Sequence, residues 1–455
     1  MKIEKNGLVR TIVLIAFLFF FNLILATLAN ASNEEVGAII SNLFKADKVE
    51  TGSLNLNERM EELEAFYQSR SFKPIWVRDD GSKGKAKALL VELNRSLVHG
   101  LDPGFYQTEK LSKLMRSEKP DELARLELLF SGALVDYGYD LANGHVDYKL
   151  APEQVQIKPI IRSITEVLDG AEQAGELRTF VSSLLNVDDR YVRLLTKISE
   201  INRASSSRLW PKFSTDIPEL ELGNSHPEIV GIRTYLMLMG DFIIADFTER
   251  DEFDRPLQQA VISFQSRHGF PMTGKLDRMT LDEILLPIER MVEKISINLE
   301  RRRWQNREIG QKHIYVNLSD NQARLVIDEE KVGEFELARQ ASDEQIPTFY
   351  GKITHMSLPK SGMGLQLVIM ADKPDGSQGL KIKINLDGDA KEMAELISGE
   401  PGNYPSAASK HVELNEPVNI FVTYVTAWAN KDGSIHFRQD RYNRDLVLEK
   451  YLAVN

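Results

Sequence analysis

Cysteine is absent from all 455 residues. Its absence excludes disulfides, thiolate metal sites and every cysteine nucleophile. A cationic surplus is missing as well. The 56 Lys and Arg stand against 67 Asp and Glu, a net charge of −11, so nothing marks a nucleic-acid partner. Beyond Leu28 no stretch is apolar for long enough to cross a membrane. Histidine is sparse, eight in all, without a His-x-x-x-His or His-Glu pair at ligand spacing. No metal and no cofactor are therefore expected. The 42% of hydrophobic residues is still core enough for two to four domains at this length.

The first segment is the one long apolar run. Lys2, Lys5 and Arg10 precede a chargeless stretch, Thr11 to Leu28, that exits through Ala29-Asn30-Ala31. A basic start, apolar middle and small-x-small exit lay out a secretory signal over residues 1–31, cleaved before Ser32. Left uncleaved, a run of roughly 18 residues would just span a bilayer, the one route to membrane contact. Either way the body is expected outside the cytoplasm.

Residues 36–215 read as mostly helical. Leu56, Met60, Leu63 and Tyr67 fall at helical spacing, and Ala86 to Leu97 repeats the pattern. Asp79-Asp80-Gly81 and Asp102-Pro103-Gly104 supply turns, and Trp210-Pro211 with Ile217-Pro218 marks a boundary. Two further helices follow, Glu228 to Met239 and Leu257 to His268, and a third begins at Thr280. Arg290 to Trp304 reads as one long basic helix whose Arg301-Arg302-Arg303 face is expected in solvent, or against the anionic wall or membrane surface. From His313 the period changes to two. Ile314, Val316 and Leu318 alternate, and strands are expected at Ala323–Ile327, Gly333–Leu337, Leu365–Met370, Leu380–Ile384, Val418–Val425 and Gly433–Phe437, with one helix at Asp389–Ile397. Glu61-Glu62 and Glu329-Glu330 read as solvated charge, and Gly144 of Asn143-Gly144-His145-Val146-Asp147 as a helix end.

Leu257-Gln258-Gln259-Ala260-Val261-Ile262-Ser263-Phe264-Gln265-Ser266-Arg267-His268-Gly269, followed by Gly274 and Thr280-Leu281, resembles the small helical peptidoglycan-binding module. Pro417 to Trp428, then Asp432-Gly433 and Asp440 to Asp445, resembles the end of large L,D-transpeptidases. Those proteins have a scaffold domain, a peptidoglycan-binding module and a YkuD-type catalytic β domain. Asn298 to Trp304 is similar to their connecting helix, and Phe72 to Trp76 with Gly100 to Tyr106 to their scaffold. The resemblance implies an α+β multidomain chain. A helical scaffold spans 36–215, a peptidoglycan-binding module 216–290, a linker helix 291–312 and a mainly-β L,D-transpeptidase-like domain 313–455. It also implies residence in the periplasm or cell envelope, with peptidoglycan, and other wall enzymes, as partners. Arg233, Gln265 and His268 are its candidate peptidoglycan contacts; bracing of helices is the competing role for Gln265 and His268.

The family passes an acyl group through a cysteine thioester, with a histidine to activate the thiol. Its His-Asp-Thr-Pro strand and Ser-His-Gly-Cys-x-Arg stretch align with Val368 to Pro374 and Ser377 to Ile382. Ala371 then replaces the first histidine, Gln378 the second, Leu380 the nucleophile and Ile382 the arginine. The segments from Pro347 to Asp372, where the family inserts a lid, and from Pro374 to Ser377 are short. No catalytic residue remains, and the expected protein is a pseudoenzyme that binds peptidoglycan. The enzymatic alternative is a peptidoglycan-modifying transferase or hydrolase with a non-cysteine site. N-terminal sequencing of the envelope form should return Ser32; Met1 in a membrane fraction would establish the anchor instead.

Overall fold

Five helix starts among the described residues are marked by short polar side chains that accept backbone N–H groups left over by the first turn. Ser163, Asp188, Asp254, Asp277 and Asp389 each cap a helix in this way. The computed structural model describes residues 33–452 except 54–55, 57–58, 78–82, 148–158, 186–187, 215, 243–249, 306–308, 339–345, 360, 362, 372–380 and 401–409. The signal segment with Ser32, the Asp79-Asp80-Gly81 turn, and Ser377, Gln378 and Leu380 thus lie outside the described residues.

The chain divides into two units. The first is drawn from residues up to Ser96, Pro103–Tyr139 and Ile161–Leu185. It is helical: α1 Asn33–Lys45, α2 Met60–Ser69, α3 Gly84–Asn94, α4 Thr108–Leu114, α5 Pro120–Asn143 (its last turn grouped with the second unit), α6 Ile164–Gln173 and α7 Leu177–Leu184. At its centre the fully buried Glu127 of α5 holds the segment after α2. Glu127 Oε1 accepts the Ile75 N–H at 2.7 Å and the Tyr67 hydroxyl at 3.0 Å, and Oε2 accepts the Trp76 N–H at 2.9 Å. One turn on, Ser131 Oγ takes the Trp76 indole N–H. Glu127 satisfies the backbone that carries Ile75 and Trp76 into the apolar interior, and Ser131 satisfies the indole.

The second unit holds Leu97–Asp102, Asp140–Ile160 and the chain from Asn186 onward. Helix α8, Asp189–Ser205, leads to three helices, α9 Glu228–Leu238, α10 Arg255–His268 and α11 Arg278–Ile284. Ile229, Tyr235, Leu257, Val261, Phe264 and Leu281 close a small core between them. Helix α12, Ile288–Trp304, runs on to the sheet.

Seven strands form that sheet: β1 Lys312–Asn317, β2 Gln322–Ile327, β3 Glu330–Glu336, β4 Phe349–Leu358, β5 Met363–Ala371, β6 Lys381–Asp389 and β7 Lys410–Thr423. Their order is β3-β2-β1-β7-β4-β5-β6, antiparallel except for the parallel β1–β7 pair. The sheet curls so far that Leu337, just past β3, bridges Leu386 of β6. Because successive side chains point to opposite faces, the two faces sort by parity. Ile314, Val316, Phe349, Ile353, Ile420 and Val422 join one core, covered by α13, Ala390–Ser398. Tyr315, Tyr350 and Phe421 join another with Trp304 of α12 and Leu448 of α14, Arg444–Leu452. A separate hairpin, β8 Ala427–Ala429 with β9 Ile435–Phe437, completes the unit.

The basic end of α12 departs from the expected solvated face. Arg301, Arg302 and Arg303 are 1%, 4% and 0% exposed. Each finds partners, some within the helix and some far away in the sequence. Arg301 pairs with Asp445 at 2.5 Å. Arg302 donates to Gln305, which in turn donates to Thr423. Arg303 pairs with the equally buried Glu300 and donates to the His99 carbonyl and the Tyr191 hydroxyl. Gly144, at φ +89° just beyond the end of α5, makes room for this pair: a Cβ there would stand 2.4 Å from Glu300 Oε1.

Burial pushes the Glu127 carboxyl up to about 7, from an ordinary 4.5. Between those values the folded state holds a proton that the unfolded state has released, so stability falls as pH rises through that window. Glu127→Gln should remove this dependence. It should also cost about 1–3 kcal/mol, because one backbone N–H then faces an amide NH2. Denaturant unfolding at pH 5 and pH 8 checks both; a wild-type chain equally stable at the two would refute the assignment.

Candidate functional site

Helix α10 carries the motif residues of the helical module, and its geometry is set at both ends. Asp254 accepts the Leu257 N–H at 3.0 Å, and Gly269, at φ +69°, stops the helix in the left-handed conformation glycine adopts freely. Gln265 is fully buried on its inner face. Its Nε2 lies within 3.0 Å of Thr273 Oγ1, the Lys275 carbonyl and Thr280 Oγ1, while Oε1 accepts the Gly274 N–H. Gln265 thus ties the turn after α10 to α11. His268 is 2% exposed and stacks on Phe264 at 4.0 Å, with Phe437 of β9 at 5.0 Å. Its Nδ1 stands 3.2 Å from Glu283. Burial favours the neutral ring and holds the imidazole below its usual pKa, against Glu283, which pulls toward the charged form. Arg233 lies nearer the surface, pairing with the cap residue Asp254 at 2.7 Å and donating to the Glu252 carbonyl. The three sequence candidates therefore sit in one module but do not converge on a common opening. Gln265 and His268 face inward.

A stronger feature escaped the sequence. Arg267 makes a two-pronged pair with Asp241, both all but buried, and its Nη1 donates to the Ile435 carbonyl of β9 at 2.6 Å. Ser263 adds a hydroxyl to Asp241, and Arg438 donates back to the Arg267 carbonyl at 3.0 Å. Placed at the carboxyl end of α10, Arg438 also complements the helix dipole. The module is thereby fastened to the β8–β9 hairpin. Asp241 and Arg267 lie 26 residues apart, too far for a local pattern to announce the pair.

In the sheet, Ala371 closes β5 opposite Gly351 of β4 and is 3% exposed. Its parity places it with Leu365, Leu367 and Ile369 on the face covered by α13. Ile382, opposite Ile369 on β6, packs against the same core beside Ile384 and Leu386. Among the described residues no group of His, Cys, Asp and Glu is placed to hold a metal ion, and no helix is long and apolar enough to cross a membrane.

Residues 61–197 match the family described as "Scaffold domain", and residues 225–284 the one described as "Putative peptidoglycan binding domain". The helical first unit, the helical module and the curled sheet make a mixed α+β chain, in keeping with its resemblance to the scaffold-type L,D-transpeptidases. Two solved structures are similar in part. One is an L,D-transpeptidase (residues 123–326) from Xylanimonas cellulosilytica, 12% identical, with 46% of this chain and 100% of that chain covered and a TM-score of 0.16. The other is a fused Zn-dependent amidase/peptidase/peptidoglycan-binding domain-containing protein from Clostridium acetobutylicum. It is 13% identical, with 46% and 100% covered and a TM-score of 0.15. Comparison with curated proteins finds no match.

Asp241→Ala would leave the Arg267 guanidinium buried without its carboxylate, and should destabilise the second unit by about 3–5 kcal/mol. The double substitution Asp241→Leu with Arg267→Met should recover most of that loss. Thermal and denaturant unfolding of the three proteins decides the matter, a neutral single substitution being the contrary result.

Proposed function

We propose that this chain is a non-catalytic, L,D-transpeptidase-like protein of the periplasm or cell envelope. It binds peptidoglycan through its helical module and scaffolds or regulates cross-linking by active wall enzymes. In this reading the functional segments are the scaffold 36–215, the module 216–290, the connecting helix 291–312 and the degenerate catalytic domain 313–455, behind a signal at 1–31. The match of residues 225–284 supports the peptidoglycan partner.

One observation carries the loss of catalysis. Ala371 and Ile382, aligned with a catalytic histidine and arginine, continue the apolar face beneath α13. A methyl group has no lone pair to take a proton from a nucleophile, and a sequence without cysteine has no thiolate to offer. Apolar side chains in such places stabilise by burial, about 1.5–3 kcal/mol for a full aliphatic side chain. They also bar the polar groups that the chemistry needs. Gln378 and Leu380, the other two replaced positions, belong to the same proposal on sequence grounds.

The purified chain should co-sediment with sacculi and form no new stem-peptide cross-links on incubation with them. Leu380→Cys alone should stay inactive, because its histidine and arginine partners are still missing. Ala371→His should cost about 1–3 kcal/mol in unfolding free energy, as a polar ring enters an apolar core. Cross-links made by the wild-type chain would overturn the reading in favour of an enzyme with a nucleophile outside the family's plan.

A further inference from the structure

A groove of about 660 Å³ opens between the end of α8 and the corner where α11 meets α12. Its volume falls within the roughly 300–1,000 Å³ of small-ligand clefts. One wall is the extended segment with Trp210, Phe213 and Ser214; the other presents Arg278, Asp282 and Glu289. The aromatic wall is built onto α9. Trp210 and Phe213 meet Tyr235 edge-on at 5.7 and 6.2 Å. Gly231 lets the segment lie close, since a Cβ there would come within 3.1 Å of the Phe213 ring and 3.4 Å of Pro211. Both aromatic rings remain half-buried, short of complete enclosure.

The polar wall narrows the choice of ligand. Arg278 is paired with Asp282, each more than half exposed. With Glu289 added, two carboxylates face a single guanidinium. A polyanion or a multiply charged acidic peptide would meet net repulsion here. An uncharged polyhydroxylated ring suits it: its C–H face lies on an aromatic side chain, and neighbouring hydroxyls pair with the flat guanidinium and carboxylate forks. The wall at 205–214 precedes the residues that match the peptidoglycan-binding family, so the groove is a composite of that module and the segment before it.

We propose that this groove is the subsite for the sugar backbone of the wall polymer, the glycan strand rather than the stem peptide. The inference rests on the peptidoglycan-binding reading above. Arg233, Gln265 and His268 then act by holding the module's shape.

The test uses the full chain and two soluble probes: uncharged glycan strands, amidated at the lactyl carboxyls left when the stem peptides are removed, and the free stem peptide. Wild-type protein should bind the strands and ignore the peptide. Trp210→Ala should weaken strand binding about tenfold, and Arg278→Ala and Asp282→Ala should weaken it severalfold at unchanged melting temperature. Should Trp210→Ala fail to fold, the two exposed-residue variants decide. Strand binding unaltered by those variants, or binding of the peptide alone, would overturn the glycan groove while leaving sacculus binding intact. Failure of the wild-type chain to bind sacculi at all would overturn the peptidoglycan reading, and the groove with it.

Discussion

Everything in the second unit is organised around guanidinium groups that α12 carries out of water. Three successive arginines in a helix point in three directions, so a single turn can seize three separate neighbours. Arg303 reaches α8 and the segment around His99, Arg301 reaches the start of α14, and Arg302 works through Gln305 to the end of β7. Asn298, one turn earlier, closes the ring by exchanging hydrogen bonds with Thr426. Desolvating such groups is expensive, and it is tolerable only because each is met by a carboxylate, a carbonyl or an aromatic face. Tyr424 and Tyr315 supply such faces, 5.2 Å from Arg301 and 5.9 Å from Arg302. Lysine, with one compact ammonium, would not satisfy this number of acceptors in fixed directions.

Much of this architecture was legible in the sequence. Helical spacing located α9, α10 and α12 to within a few residues, and alternation found most of the sheet. The long strand β4 was missed, although it is central. Gly351 has no side chain to report a face, and the register shift between Ile353 and His355 breaks the alternation midway. Tyr350, moreover, is buried on the opposite face to Phe349 and Ile353, so both parities are apolar at the start of the strand. Strand β7 also runs further back than its apolar stretch suggests, because Lys410 to Glu413 pair with β4 through backbone groups that carry no hydropathy signal.

The candidate sites were legible to a different degree. The inward role of Gln265 follows from an amide at a position where the helix faces its own turn, one of the two roles weighed from sequence. The arginine run misled because charge predicts solvent only on average; Glu300 is a neighbour in the helix, but Asp445 and Tyr191 lie more than a hundred residues away. Trp210 and Pro211 read as a boundary from the sequence, which gave no sign that they line a groove. The lock between Asp241 and Arg267 depends on a fold already formed, and no spacing rule would find it.

The strand order β3-β2-β1-β7-β4-β5-β6 has a consequence for how the chain reaches this state. The strands fall into two runs of three neighbours, β1 to β3 and β4 to β6, each built from short-range antiparallel pairings. Strand β7 is the last of the seven to be made and inserts between them, setting Asn419 against His313 and Phe421 against Tyr350. Until it arrives, β1 and β4 each expose an unpaired edge, the kind of surface that recruits strands from other molecules. The pairing is also long in sequence, which slows its formation. Strand β7 is thus the wedge that joins the two runs, and its pairings cover both of those edges at once.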